Sequence, residues 1–174
     1  MIVGCDEAGV GSLIGDLVAC AVYIPDDCNI EGIKDSKNIT ETKRVKLSSE
    51  LKQSVKFGFG STTAQEIDEL GMARCRRLVF ERALDDFAHK HGEPVLILID
   101  GTLFDNWRGI PFECHIKGDK KFKCISAASI LAKVERDKRV LSICTNEFED
   151  YGWKQNKGYP TKKHRETITE KGIT

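Results

Sequence analysis

The segment Val95-Leu96-Ile97-Leu98-Ile99, opened by Pro94 and closed by Asp100-Gly101, constrains the fold most. It is the clearest buried strand in the chain, an unbroken apolar run bounded by turn residues. Leu17 to Ile24 is nearly all apolar and reads the same way, as a strand covered on both faces. Three further strands are expected at Ile2 to Asp6, Val55 to Thr62 and Phe112 to Lys117, with a glycine-rich connection over 8–15. Helices are expected from Lys43 to Lys52 behind a Thr40 cap, from Thr63 to His89, from Ala127 to Phe148, and from Thr161 to Glu170 with Thr161 as cap. In the second of these, Leu70, Cys75, Leu78, Val79, Ala83 and Phe87 recur near the 3.6 period. Five strands with interspersed helices predict an α/β or α+β sheet sandwich.

At 174 residues and 40% hydrophobic content, the chain suits one domain over 1–174 with a full core. It holds no apolar run long enough for a membrane span, and MIVGCDEAG has no secretory character. The seven cysteines form no C-x-x-C pair, which argues against a zinc cluster or disulfide framework. They read as buried small hydrophobes in a reducing, cytoplasmic setting. Net charge is zero, yet residues 1–114 carry 13 basic against 19 acidic residues, and 115–174 carry 14 against 8. Such asymmetry suits acidic metal ligands beside a basic, phosphate-gripping segment, although solvated helix faces also produce it.

Acidic residues stand at the ends of apolar strands three times: Asp6-Glu7, Asp100 and Asp119. Strand ends in such sheets line the active-site crevice. Clustered carboxylates repel unless cations neutralise them, and all-oxygen ligands suit Mg²⁺ or Mn²⁺. Plainer readings stand beside this one, with Asp100-Gly101 and Gly118-Asp119 as simple turns. Adjacent Asp6 and Glu7 point to opposite faces of a regular strand, so both reach one site only if the strand ends there. Read this way, the residues reach as far as a Mg²⁺-dependent phosphotransfer site.

Gly4-Cys5-Asp6-Glu7-Ala8-Gly9-Val10-Gly11 resembles the G-x-D-E-A-G-R-G opening of the ribonuclease HII family. Asp35-Ser36-Lys37, Glu66 to Met72, Leu98-Ile99-Asp100-Gly101 and Lys117-Gly118-Asp119 followed by Ile125 to Asp137 are similar to later family motifs, in the family's order. Lys157-Gly158-Tyr159-Pro160-Thr161 with His164 resembles the last. The resemblance implies a ribonuclease H-like mixed five-stranded sheet flanked by helices, with a small helical, substrate-contacting C-terminal part over about 145–174. It implies Asp6, Glu7, Asp100 and Asp119 as catalytic ligands of two Mg²⁺ or Mn²⁺ ions. The turn Gly9, Val10, Gly11 would contact the ribose 2′-OH, which separates RNA from DNA. Tyr159 would stack on the next deoxyribose, and Ser36 and Lys37 would hold a phosphate. Ser129 and Lys133 lie one helical turn apart and can share a face. Lys133 is read either near the phosphates or as a solvated or salt-bridged lysine, and His164 either as a phosphate contact or as packing. Asp137 is expected to pair with a basic neighbour, and Trp107 to be a loop or core aromatic.

The expected activity is endoribonucleolytic: hydrolysis of RNA in RNA/DNA hybrids and cutting 5′ to ribonucleotides embedded in duplex DNA, as in ribonucleotide excision during DNA replication and repair. No protein partner and no membrane is implied, no tail resembles a sliding-clamp-binding motif, and a monomer is expected. Position 10 is Val where the family usually has Arg, a cation that reaches the scissile phosphate. Three other readings follow: a hybrid nuclease needing several consecutive ribonucleotides, a non-cleaving hybrid-binding protein, and a metal-dependent DNA nuclease on the same fold.

Overall fold

The computed structural model describes residues 1–33 and 39–173. Ser36 and Lys37 lie outside the described residues. The strands are β1 (Ile2–Ala8), β2 (Leu17–Tyr23), β3 (Lys56–Thr62), β4 (Leu96–Asp100) and β5 (Phe112–His115). The helices are α1 (Glu41–Ser54), α2 (Ala64–Leu70), α3 (Met72–His91), α4 (Lys123–Ser142), α5 (Trp153–Asn156) and α6 (Lys162–Lys171). The sheet order is β3-β2-β1-β4-β5, with β1, β2 and β3 antiparallel in series and β1, β4 and β5 parallel. The mixed five-stranded sheet is therefore as expected.

Alternation along the strands builds two cores. Val3 and Cys5 of β1, with Leu17, Ala19 and Ala21 of β2, pack against Val79, Phe80, Ala83, Leu84 and Phe87 of α3. On the other face, Ala8, Cys20 and Val22 meet Leu47 and Leu51 of α1 and Ala127, Ala128 and Leu131 of α4. Both faces of β2 are thus covered, which is why its sequence lacks polar alternation. The α3 helix lies unusually close to β3: a Cβ on Gly60 would stand 2.2 Å from the Val79 carbonyl oxygen. A third cluster joins Val140, Tyr151 and Trp153 to Ile14, Phe148 and Ile168, tying the C-terminal helices to the β1–β2 connection.

Besides shifts of one or two residues at other ends, four elements differ from the sequence expectation. Strand β1 continues past Asp6 to Ala8, because its antiparallel ladder with β2 runs on through Glu7↔Ala19 and Ala8↔Val18. The helix expected from 63 to 89 breaks at Gly71 (φ 79°, ψ 152°), an extended left-handed state suited to glycine. Its first piece carries a complete capping box between Thr63 and Glu66. The helix expected from 127 to 148 is displaced to Lys123–Ser142 and followed by a 3₁₀ turn at Asn146–Tyr151. Strand β5 stops at His115, because Lys117 adopts the left-handed conformation and leads into a 3₁₀ turn at Gly118–Lys120. Of the cysteines, Cys5, Cys20 and Cys75 are buried, but Cys114 is exposed and the other three half-buried, so burial accounts for only part of the set.

Candidate active site

The parallel pairing of β1 with β4 ends at Cys5↔Ile99, while β1 itself runs three residues further. Beyond Cys5 the β4-side edge of β1 has no strand partner among the described residues, and a cleft of about 390 Å³ opens there. Asp6 and Glu7 do point to opposite faces, as a regular strand requires. Asp6 turns toward α4, where Ser129 hydrogen-bonds to it and the Glu7 amide donates to its Oδ1 at 2.8 Å. Glu7 turns toward α3, where Arg76 donates to its Oε1 through Nε at 3.0 Å and through Nη2. Both still border the cleft, together with Asp100 from the last position of β4. A terminated neighbour strand, rather than a terminated β1, lets both acids reach one site.

The Asp100 carboxylate accepts from the Gly118 amide at 2.6 Å, which docks the 3₁₀ turn against the end of β4. Asp119, next in that turn, is only 3% exposed and is not among the residues that line the cleft, so the structure brings only Asp6, Glu7 and Asp100 of the four expected carboxylates to its surface. Gly118 has little room: a Cβ would stand 2.7 Å from Ile125 Cδ1 and 3.4 Å from Asp100 Oδ1.

Burial and mutual repulsion dominate the electrostatics. Burial, then the charges of Glu7 and Asp100, push the Asp6 carboxyl from 3.8 to about 8. Burial also raises Glu7, against the opposing pull of Arg76. Glu7 Oε2 is buried with no hydrogen-bond partner among the described residues. An anionic oxygen with no donor and a carboxyl held from ionising are what a cation in the cleft would relieve, so the donor set fits a hard divalent ion. Among the described residues no three His, Cys, Asp or Glu side chains converge closely enough to hold an ion as they stand. Glu7 is drawn onto Arg76 and Asp100 onto the Gly118 amide, so occupancy requires these side chains to reorient.

The remaining wall of the cleft is the turn Gly9-Val10-Gly11, Tyr159, Lys133 and Arg44. Gly9 has φ 116°, and Tyr159 Cε1 lies 3.9 Å from where a Cβ on Gly11 would be. Val10 is exposed at the rim. Lys133 pairs with Asp137 at 2.7 Å and its ammonium sits 4.6 Å from the Tyr159 ring centre, so it is a salt-bridged lysine at the cleft edge. His164 is buried, receiving the Trp153 indole N–H at 3.2 Å on Nε2 and meeting the Tyr159 carbonyl at 3.0 Å through Nδ1. It packs behind Tyr159 and has no exposed nitrogen for a phosphate. Trp107 is a core aromatic whose indole N–H donates to Asp85 at 3.1 Å. A larger cleft of about 440 Å³ around Phe148 and Trp153 holds no comparable acidic cluster.

Sequence reasoning missed three arginines at this site: Arg76 on Glu7, Arg44 in the cleft wall, and Arg136, wholly buried beneath Tyr159. Two carried a readable signal. Arg76 precedes Phe80 by four residues on α3, and Arg136 stands between Ala132 and Val140 on α4, so each sits in an apolar stripe where a solvated residue is out of place.

Fold and site together define a ribonuclease H-like protein with an acidic cleft at the broken edge of its central strand pair. The family model for ribonuclease HII matches residues 3–174. The chain belongs to the ribonuclease HII family, type 2 ribonucleases H, and is an endoribonuclease of that class. It is 42% identical to ribonuclease HII of Bacteroides thetaiotaomicron over 172 residues, covering 98% of this chain and 84% of the relative. Ribonuclease HII of Pelagibacter ubique is 38% identical over 174 residues, 100% of this chain and 91% of the relative. Among solved structures, ribonuclease H2 of Pyrococcus horikoshii superposes with a TM-score of 0.78 at 29% identity, over 99% of this chain and 89% of that one. The PCNA:RNase HII complex of Archaeoglobus fulgidus gives 0.79 at 26% identity, over 100% and 90%. That relative is held with a protein partner, where the sequence had implied none for this chain. No described helix is long and apolar enough to cross a membrane.

Proposed function

We propose that the protein hydrolyses the RNA strand of RNA/DNA hybrids and cuts on the 5′ side of ribonucleotides embedded in duplex DNA, leaving 5′-phosphate and 3′-hydroxyl ends. The observation that carries this reading is the single cleft shared by Asp6, Glu7 and Asp100, the glycine turn 9–11 and Tyr159. Mg²⁺ or Mn²⁺, two ions per site, would be held by Asp6, Glu7, Asp100 and Asp119 and, when bound, would activate water and stabilise the leaving oxygen. The carboxylates bind and do not become covalently attached. The backbone of Gly9 and Gly11 contacts the ribose 2′-OH, and Tyr159 stacks on the sugar of the following deoxynucleotide. Ser36 and Lys37 hold a backbone phosphate. Lys133, neutralised by Asp137, orients the Tyr159 ring more than it grips phosphate, and His164 supports Tyr159 from behind.

A second reading has support from one residue. Val10 stands exposed at the cleft rim and offers neither charge nor donor, which favours a nuclease needing several consecutive ribonucleotides. The test uses labelled duplexes with one ribonucleotide, with a tract of several, and with none, alongside EDTA and Asp100→Asn controls. Metal- and Asp100-dependent cutting of both ribonucleotide substrates supports the main reading, and cutting of the tract alone supports the second. Binding without cutting, or cutting of the all-DNA duplex, would sink both.

A further inference from the structure

Arg136 is the largest side chain among the described residues with no solvent exposure, and it is not among the residues that line the cleft. A buried guanidinium is costly, and an apolar side chain of similar volume often serves stability as well or better. Its nearest carboxylate, Asp137 Oδ1, is 3.9 Å away and already taken by Lys133. Its donors go elsewhere. Nη2 donates to the Ile14 carbonyl at 2.8 Å and to Ser12 Oγ, and Nη1 to the Lys157 carbonyl. Nε is buried without a hydrogen-bond partner among the described residues, 3.3 Å from where a Cβ on Gly9 would stand. The guanidinium carbon lies 5.2 Å from the Tyr159 ring centre.

These contacts join the turn after Gly9 to the segment carrying Tyr159, which are distant in sequence. The Leu13 amide reinforces the joint, donating to the Gly158 carbonyl at 2.9 Å. We propose that Arg136 is a positioning residue for reading the RNA–DNA junction: sealed from the cleft, it sets the gap between the Gly9–Gly11 backbone and the Tyr159 ring. The inference rests on the roles given to those two elements above. Loosening the joint misaligns the ribose contact relative to the following sugar. It therefore weakens a single-ribonucleotide site, which offers one register, more than a tract, which offers several.

The test compares the parent protein, Arg136→Met, Arg136→Lys, Ser12→Ala, Tyr159→Ala and the Arg136→Met/Tyr159→Ala double variant. Two readouts are taken: kcat/KM on the single-ribonucleotide duplex relative to the tract, and binding in EDTA to the single-ribonucleotide duplex relative to all-DNA duplex. Losing hydrogen bonds to a charged donor predicts a roughly tenfold fall in selectivity for Arg136→Met. Ser12→Ala falls less and in the same direction, and the double variant is no less selective than Tyr159→Ala alone. Unchanged selectivity in Arg136→Met, or losses additive with Tyr159→Ala, would overturn the inference, since a merely structural role lowers both substrates equally. If Arg136→Met does not fold, Ser12→Ala and Arg136→Lys decide by the same ratio. A parent protein with no selectivity in either readout overturns the function reading itself, and is told apart by the parent's own values.

Discussion

Replacing Asp6 by Asn should make the metal-free protein more stable at neutral pH, and should abolish cleavage when metal is supplied. The Asp6 carboxyl moves from 3.8 in the open chain to about 8 in the folded protein. A carboxyl raised in this way favours the folded state only while protonated in both states. Its contribution is complete below pH 3.8 and is lost as pH rises toward 8, because the folded state then binds more protons than the unfolded one. Each pH unit in that window costs about 1.4 kcal/mol, so the ceiling at pH 7 is about 4 kcal/mol. Asn is neutral throughout, and its amide oxygen can still accept from the Glu7 amide, as Asp6 does at 2.8 Å. For a chain of this size, a gain of 2–4 kcal/mol corresponds to roughly 4–16 °C in Tm. The assay is thermal or urea unfolding of both proteins in EDTA at pH 4.5, 6 and 7.5. The difference should be smallest at pH 4.5, about 1 kcal/mol, and grow as pH rises, and added Mg²⁺ or Mn²⁺ should stabilise the parent more. A difference independent of pH would refute the assignment of this strain to the Asp6 charge.

Gly60→Ala should destabilise by about 2–4 kcal/mol through overpacking, since its Cβ would meet the Val79 oxygen at 2.2 Å and the Ala83 nitrogen at 2.5 Å; an unshifted urea midpoint would contradict this. Val10→Arg should raise cutting at a single embedded ribonucleotide relative to a tract, and equal ratios would mean that the rim cation is immaterial. The Glu66 carboxyl, lowered to about 2 by its hydrogen bonds from Arg82 and Thr63, should titrate near there by NMR and move up in Arg82→Ala. Its stabilising effect is therefore complete above 4.5 and is lost progressively as pH falls from there through about 2.

The apolar runs at Leu17 to Ile24 and Val95 to Ile99 mark β2 and β4 because both faces of each strand are covered over most of its length, although Val95 lies before β4 and is exposed. The carboxylates were legible through their position after such runs. Their geometry was not. Asp6 and Glu7 share a cleft because β4 stops beside Cys5, a fact of long-range register that no local pattern carries. The break at Gly71 escaped for a related reason: the apolar period continues across it, and only a backbone angle interrupts the helix. Arg136 and Arg76 were hidden differently, since a positive charge on a helix is ordinarily a solvated one, and only their apolar neighbours four residues away betray that Arg136 is buried and Arg76 partly so.

The parallel register Ile2↔Leu96 has a consequence for synthesis. The ribosome releases Asp6 and Glu7 long before it has made β4, the turn bearing Asp119, or α4 behind them. Strands β1, β2 and β3 can pair locally as a meander in the meantime, but the edge that becomes the cleft wall waits for a partner from the other half of the chain. Pairing across such a distance is slow, and until it happens β1 offers an unsatisfied edge. During synthesis, therefore, the acidic residues of β1 stand apart from Asp100 until β4 has been made and paired, and the cleft they share forms only then.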